Sequence, residues 1–206
     1  SRGLGDVYKR QVPGLPQAEP SLKITYVQPK DFTGLLRYVR NILVVTIDPT
    51  AYTKVSVGYE NNVWARGQVV VSLKAPNTES IVEYSKTHEK ALVNFFVKVE
   101  MNRAIEQLQK EYSMVVMDNL KSDLNVMLNA PANFTYYKDT TDFFWSSNNA
   151  NTGRMDLIVY TFPYTDPNTF TEEYLVAKRD SVLKANLPGS FPGSYMQTET
   201  RAGVEY

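Results

Sequence analysis

The stretch from Asn77 to about Tyr112 is the feature that most constrains this chain, because no glycine or proline occurs between Pro76 and Pro131. Pro76 ends an apolar β-branched run. Asn77 or Thr78 can then accept hydrogen bonds from the first unpaired backbone N–H groups of a helix. At 1.5 Å per residue, the predicted helix is roughly 50 Å long.

Apolar residues recur along this stretch at helical spacing, in two neighbouring lines. The first line contains Ile81, Tyr84, His88, Leu92, Phe95 and Val99, and the second contains Val93, Val97, Met101, Ile105, Leu108 and Tyr112. Two adjacent lines form a wide apolar stripe, which predicts a helix that is covered on more than one side.

The segments around the helix are β-like, and the most apolar of them is Ile42–Ile47. A continuous β-branched run is typical of a strand buried on both faces, so Ile42–Ile47 is predicted to be a central strand. The other predicted elements are strands at Leu22–Val27, Lys54–Tyr59, Gly67–Lys74 and Phe134–Tyr137, a hairpin at Asp142–Phe162, and helices at Phe32–Val39, Val115–Val126 and from Thr169 to Leu187. Thr169 and Glu172 fit a capping box for the last helix. The pattern predicts an α+β fold with antiparallel or mixed sheets packed on one long central helix.

The chain divides into three predicted segments. Residues 6–11 match what a transposon-end sequencing adapter encodes, so we expect residues 1–11 to be a non-native scar that makes no packed contacts through Val7, Tyr8 or its other residues; an ordinary polar terminus is the alternative. Residues 12–126 are predicted to form a first α+β unit with the long helix 77–112. Residues 127–206 are predicted to form a second α+β unit that is truncated at the C-terminus.

The two units share a short motif, since Pro76-Asn77-Thr78 recurs as Pro167-Asn168-Thr169. Each copy follows a strand whose turn contains an Asn pair. Two related strand–turn–strand–helix units would explain this pattern. The alternative is that turns and caps reuse Asn, Thr and Pro everywhere.

Composition excludes several kinds of site. The chain contains no cysteine and a single histidine, His88. The sequence therefore lacks the residues needed for thiol chemistry, for zinc bound by cysteine and for a His-based catalytic triad. Lys and Arg number 22, as do Asp and Glu, which argues against a nucleic-acid surface. No apolar run approaches membrane-spanning length, and no cofactor is expected.

Several segments resemble an uncharacterised family of lipid-anchored envelope proteins from Bacteroides-type bacteria. They are Val12 to Gln17 with Glu19-Pro20, Arg40-Asn41-Ile42, Ile47-Asp48-Pro49, Glu100 to Arg103, Asp142 to Trp145, Tyr164-Thr165-Asp166, Lys178 to Val182, and Ala185 to Gly189. The resemblance begins at Val12 and implies a protein held in the periplasm or at the outer membrane by a lipid anchor that lies outside this sequence. Envelope proteins or glycans are the implied partners, and the family has no established activity. The resemblance also implies further strands at both ends, so we expect the fragment to be marginally stable and to associate through unpaired edges.

Seven positions are candidates for catalysis or aromatic binding. Asp139 and Asp142 could supply acid/base chemistry on a glycan, or form only a polar turn. The residues Trp145, Tyr136, Tyr137 and Tyr164, with Phe143, could form an aromatic platform for sugars or peptides, or pack in the core.

Two further groups lie on the long helix. Arg103, with Glu100 and Asn102, could belong to an interfacial Arg–carboxylate pair or be solvated. His88 lies on the apolar stripe, where a satisfied, half-buried side chain is favoured over a lone base. The chain is therefore predicted to be a non-catalytic binding protein, and a hydrolase of envelope polymers that uses carboxylates is the alternative.

Overall fold

The computed structural model describes residues 22–200, apart from the side chain of Glu89. The chain falls into two compact units, Ser1–Met101 and Asn102–Tyr206. The predicted scar at residues 1–11 and the residues after 200 lie outside the described range, so the predictions about them stay predictions. The α+β class is confirmed, because helices and two small sheets both occur.

The first unit contains a mixed three-stranded sheet and most of the long helix. Its elements are 3-10 helices at Pro29–Asp31 and Gly34–Tyr38, strands β1 (Asn41–Ile47), β2 (Ser56–Asn61) and β3 (Val69–Ala75), and helix α1 (Thr78–Lys110), which continues into the second unit. The strand order is β1-β3-β2, with β1 parallel and β2 antiparallel to β3.

The core of the first unit lies between β3 and α1. Side chains alternate across a strand, and Val69, Val71, Leu73 and Ala75 share the face of β3 that packs on the helix. Val71 contacts the core around Phe96, and Leu73 contacts the core around Ile81. The predicted helix is confirmed, and Asn77 caps it by accepting a hydrogen bond from the Ser80 N–H at 2.8 Å.

The prediction that Ile42–Ile47 is a central strand is wrong within the described residues. The central strand is β3, and β1 lies at the edge of the sheet. The β2–β3 hairpin, whose turn includes Asn62 and Gly67 at positive φ, places β2 on the opposite side of β3. The Val69–Val71 run is therefore buried on both faces instead, whereas Val45 and Ile47 are 43% and 48% exposed.

The segment before β1 also differs from the sequence prediction. Leu22–Val27 forms no strand, and Tyr26 is 82% exposed. Helix Phe32–Val39 is replaced by the two short 3-10 helices. The buried Gln68 side chain holds the end of this segment in place, just before β1. Its Nε2 donates to the Arg37 and Val39 carbonyls at 2.7 and 2.6 Å.

The wide stripe on α1 is covered only in part. Ile81 and Val93 are buried, but Met101 and Ile105 are 58% and 50% exposed. The polar position Glu100 joins the helix to the start of β1, because its carboxylate lies 2.9 Å from the Arg40 guanidinium and accepts a hydrogen bond from Asn41. Glu100 therefore belongs to an Arg–carboxylate pair, but its partner is Arg40, which the sequence prediction around Arg103 did not include.

The second unit contains an antiparallel sheet with two further helices. Its elements are α2 (Met114–Leu124), strands β4 (Tyr136–Thr140), β5 (Phe143–Ser147) and β6 (Asp156–Tyr160), a 3-10 helix at Pro167–Phe170, and α3 (Glu172–Asn186). The strand order β4-β5-β6 confirms the predicted hairpin at Asp142–Phe162.

The core of the second unit lies between this sheet and α2. Val116 and Leu120 on the helix pack with Phe134 and with Phe144 at the centre of the sheet. Ser113 caps α2 from a buried position: its Oγ donates to the Phe134 carbonyl at 2.6 Å and accepts from the Val116 N–H at 3.3 Å. The helices that cover the two sheets are therefore different ones.

The start of α3 corrects the predicted capping box. Thr169 is buried inside the preceding 3-10 helix, and Thr171 is the residue that caps α3 by accepting from the Tyr174 N–H. The two Pro-Asn-Thr motifs have different roles. Asn77 caps α1 itself, whereas Asn168, at the same position of the second motif, lies in the 3-10 helix that precedes α3. The two sheets also differ in strand order, which gives the proposed duplication no support.

Candidate functional site

The sheet of the second unit presents one face with polar and aromatic residues in register. Tyr136, Ser147 and Asp156 lie opposite one another on β4, β5 and β6. Trp145 is two residues from Ser147 on the same strand, so it shares this face and is a diagonal neighbour of Tyr136, at ~7–8 Å. Tyr136 is 56% exposed, whereas Trp145 is half-buried.

Asp156 holds the Trp145 ring in place and is itself held by Arg154. The indole Nε1–H donates to Asp156 Oδ1 at 2.9 Å. The Arg154 guanidinium donates to both carboxylate oxygens at 3.1–3.2 Å and lies 6.0 Å from the centre of the Trp145 ring. We call Tyr136, Trp145, Arg154 and Asp156 the Trp145 patch.

The electrostatics of the patch favour an ionised carboxylate. Partial burial raises the pKa of Asp156, but hydrogen bonds from Arg154, Trp145 and Ser147, with the positive charge of Arg154, outweigh burial. The net result is a pKa below its ordinary value of 3.8. The patch therefore offers a half-exposed indole beside a fixed pair of opposite charges at neutral pH.

The predicted aromatic platform is divided by the structure. Tyr136 and Trp145 share one face, but Tyr137 points to the opposite face, where it stacks with Phe144 at 6.4 Å. Tyr164 lies in the loop after β6 and contacts Phe170 at 5.3 Å, with both rings mostly exposed.

The remaining predicted binding residue, Arg103, lies half-buried on α1. Phe143, which the platform also included, is buried in the sheet. Sequence reasoning missed Arg154 and Asp156. The hairpin register would have placed both beside Trp145, because they follow the 148–153 turn at the start of the returning strand.

The two candidate catalytic carboxylates do not act as one pair. Asp142 accepts a hydrogen bond from Thr161 at 3.3 Å. Asp139 instead lies beside Asp123 on α2, and burial, a hydrogen bond with Asp123 and the negative charge of Asp123 raise the pKa of Asp139. No pattern in the sequence predicts Asp123 as a partner of Asp139.

The groove around Asp123 and Asp139 is small. It is lined by residues of α2, β4 and β5 and leaves no room for even a water molecule, whereas ordinary small-molecule sites enclose ~300–1,000 Å³. Two carboxyl groups in hydrogen-bond contact also lie closer than the ~5–5.5 Å that retaining glycosidases use. The groove is therefore a poor fit to glycoside hydrolysis.

Other features of the described residues add no catalytic centre. His88 is exposed rather than half-buried, and its ring stacks on Tyr84 at 4.0 Å. Across residues 22–200, no three acidic or histidine side chains converge on a position that could hold a metal ion. In the same range, no helix combines the length and the apolar character needed to cross a membrane.

Comparison with protein families gives two matches that follow one another along the chain. Residues 3–109, just over half of the chain, match the model of a domain of unknown function, DUF8532. The chain belongs to the DUF8532 family. Residues 113–206 match a second domain of unknown function, DUF4837.

The family matches bear on two sequence predictions. The DUF8532 match begins at residue 3 and so includes residues 3–11 of the predicted scar. The two matches are to different families, and the gap between them falls at the end of α1. No curated protein and no solved structure matches the chain.

Proposed function

We propose that this DUF8532 member is part of a non-catalytic cell-envelope lipoprotein that binds a glycan or protein partner, and that the Trp145 patch binds it. The observation that carries the proposal is the fixed Trp145 ring. Asp156 accepts from its indole N–H, the Arg154 guanidinium lies over the ring, and the exposed Tyr136 lies beside it.

The patch fits a glycan better than a purely apolar ligand. Tryptophan and tyrosine side chains combine a large apolar ring face with one polar group, the indole N–H or the phenol hydroxyl. The apolar face of a sugar ring can stack on Trp145 or Tyr136, while its hydroxyl groups can bond Asp156 and Arg154, which are both planar and charged. Because Asp156 and Arg154 already orient each other, little ordering is needed on binding.

The envelope location and the lipid anchor rest on the resemblance to Bacteroides-type envelope lipoproteins. They are tested by lipid labelling and cell fractionation of the product of the intact gene. A product that takes up no lipid label and remains in the cytoplasm would contradict this part of the proposal.

The alternative function is a hydrolase that uses Asp139. The raised pKa of Asp139 is the observation that favours it, because a carboxyl group with a raised pKa keeps its proton to a higher pH, as a general acid requires. The small groove and the contact with Asp123 argue against it, so binding is the preferred function.

Fluorescence titration separates these functions. In a Trp64→Phe background, Trp145 is the remaining tryptophan, and soluble bacterial polysaccharides are added to it. We expect Tyr136→Ala to weaken binding about three- to tenfold, the loss of one aromatic contact. Tyr26→Ala, which removes a tyrosine that is 82% exposed in the first unit, should leave binding unchanged.

Two results would contradict binding at the Trp145 patch. One is an equal loss of affinity in the Tyr136→Ala and Tyr26→Ala variants. The other is hydrolysis of the polysaccharide that Asp139→Asn abolishes and Tyr136→Ala does not, which would favour the hydrolase.

A further inference from the structure

The outer edge of β2 is exposed along its whole length. Among the described strands, β2 lies at one end of the order β1-β3-β2, and every residue of the strand is exposed. The Asn62 N–H donates to the Gln68 carbonyl at 2.9 Å, so the even-numbered residues of β2 exchange hydrogen bonds with β3. The odd-numbered residues Val57, Tyr59 and Asn61 therefore direct their backbone N–H and C=O groups away from the sheet.

The side chains of Val57 and Tyr59 lie on the α1-facing side of β2 but are only partly covered by the helix. They lie opposite Leu73 and Val71, whose side chains pack in the core beneath α1. The centres of the Tyr59 and Phe95 rings are 5.1 Å apart, yet Val57 and Tyr59 remain 40% and 60% exposed. The helix and the outer edge of β2 therefore leave apolar surface open between them.

An open cleft of about 630 Å³ lies beside the start of β2. It is lined by the two residues before the strand and by the first turns of α1, and its side chains include Lys54, Val55, Glu79, Glu83, Tyr84 and Thr87. Val55 and Tyr84 pack against the core around Leu73, so the cleft adjoins the α1-facing side of the sheet. Its volume falls within the ~300–1,000 Å³ of ordinary ligand sites.

The charges of the cleft are only partly matched within the chain. Glu83 pairs with Lys86 at 3.3 Å on the surface of α1. Glu79 on the helix wall and Lys54 on the sheet wall form no ion pair with another described residue. An occupant with a basic group beside Glu79 and an acidic group beside Lys54 would complement both walls.

These features fit an extended peptide better than a compact ligand. The outward backbone groups of β2 recur at every second residue, ~7 Å apart, which is the repeat of another extended chain. Strand addition at an exposed edge derives affinity from backbone hydrogen bonds and specificity from alternate side chains. Antiparallel pairing is the more stable arrangement per residue. Because β2 runs away from the cleft, an antiparallel peptide would end at the cleft.

We propose that the β2 edge binds an extended peptide segment of a partner protein as an additional, antiparallel strand of the first sheet. The side chains of the peptide that face α1 are apolar opposite β2 and basic opposite Val55, where Glu79 lies across the cleft. An acidic residue follows the basic one, within reach of Lys54. The site belongs to the first unit, whereas the Trp145 patch belongs to the second.

Fluorescence anisotropy of the full chain with a labelled, C-terminally amidated hexapeptide, Val-Thr-Val-Thr-Lys-Asp, tests this site. In the proposed register the third residue of the peptide lies opposite Val57 and directs its N–H to β2, whereas the fourth residue directs its N–H to solvent. N-methylation of the third residue should raise the dissociation constant about tenfold or more. N-methylation of the fourth residue is the matched control and should leave binding unchanged.

Two substitutions at Val57 make the same test from the protein side. Val57→Pro removes the outward N–H and Val57→Ala keeps it, while the hydrogen bonds to β3 come from the even-numbered residues in both variants. We expect Val57→Pro to bind the hexapeptide about tenfold more weakly than Val57→Ala. Urea unfolding checks that both variants fold. The N-methylated peptides test the site in the unchanged chain if Val57→Pro does not fold.

Replacement of the peptide's lysine by norleucine tests the role of Glu79. The change should weaken binding to the parent chain about two- to fivefold, the contribution of one exposed ion pair. Glu79→Gln should remove this difference between the two peptides. Glu106→Gln, which changes an exposed glutamate farther along α1, should preserve it.

Three results would overturn the proposal. One is a parent chain that does not bind the hexapeptide at millimolar concentration. Another is equal binding of the two N-methylated peptides, which would show that the peptide does not pair with β2. The third is a dimer of the parent chain in sedimentation velocity that Val57→Pro disrupts and Val57→Ala does not, which would assign this edge to a second copy.

Discussion

At the scale of single residues, the contact between Asp123 and Asp139 couples folding to pH. The pKa of Asp139 is raised above its ordinary 3.8 by burial and by Asp123. The folded state therefore binds this proton more tightly than the unfolded chain does. Stability falls as the pH rises from 3.8 through the raised value, and the unfavourable contribution is complete above that value.

Asp123→Asn should lower the pKa of Asp139 and stabilise the second unit at pH 7. The pKa should remain above 3.8, because burial, its larger cause, persists. The gain in stability should shrink as the pH falls through the raised pKa of Asp139 and should be largely gone below 3.8. The measurements are a carboxyl NMR titration of Asp139 and urea unfolding at several pH values.

Asp118→Asn is the control for this prediction, because Asp118 is an exposed carboxylate elsewhere on α2. It should leave the pKa of Asp139 unchanged. An unchanged pKa in the Asp123→Asn variant would show that the two carboxyl groups do not interact in solution.

At the scale of secondary-structure elements, the two helices of the second unit begin with caps of different burial. Ser113 is buried and bonds both the Val116 N–H and the Phe134 carbonyl. Thr171 is exposed, and its side chain accepts from the Tyr174 N–H at 3.4 Å.

Ser113→Ala should destabilise the second unit more than Thr171→Ala does. Loss of Ser113 leaves two buried groups without a partner, which costs about 2 kcal/mol or more. Loss of the exposed cap costs about 0.5–1 kcal/mol. Urea unfolding of both variants, followed by Trp145 fluorescence, measures the difference, and equal free energies of unfolding would contradict the role of Ser113 in holding Phe134.

Local patterns predicted most elements correctly, whereas tertiary pairing was beyond them. The absence of glycine and proline after Pro76 was enough to identify α1, and the polar turn around Asn149 identified the β5–β6 hairpin. The strand order depends on tertiary pairing, because the β2–β3 hairpin makes β3 the central strand. Since β1 and β3 are both apolar β-branched runs, their sequences alone do not show which of them is central. Asp123 and Asp139 lie on different elements, and their contact exists only after α2 packs on the sheet.

At the scale of the whole molecule, each of the two units has its own hydrophobic core among residues 22–200, and one helix runs through both units. One core lies between β3 and α1, and the other lies between the second sheet and α2. The division at Met101/Asn102 falls inside α1. The DUF8532 match ends at residue 109, inside the last turn of α1, and the DUF4837 match begins at residue 113.

Matched core substitutions should therefore act on one unit at a time. Leu73 and Leu120 are 4% and 1% exposed, one in each unit. Replacing either leucine with alanine should cost about 2–5 kcal/mol. We expect Leu73→Ala to lower the unfolding midpoint reported by Trp64, and Leu120→Ala to lower the midpoint reported by Trp145, each with little effect on the other.

The unfolding midpoint of each unit can be measured separately, because one of the two tryptophans lies in each unit. Each leucine variant is made in a Trp145→Phe and in a Trp64→Phe background, and unfolding in urea is followed by fluorescence. The physical reason for independence is that the shared element is a helix, whose stability comes mostly from packing on its own core. If either leucine variant shifts both midpoints by the same amount, the chain unfolds as one cooperative unit and the two cores are energetically coupled through α1.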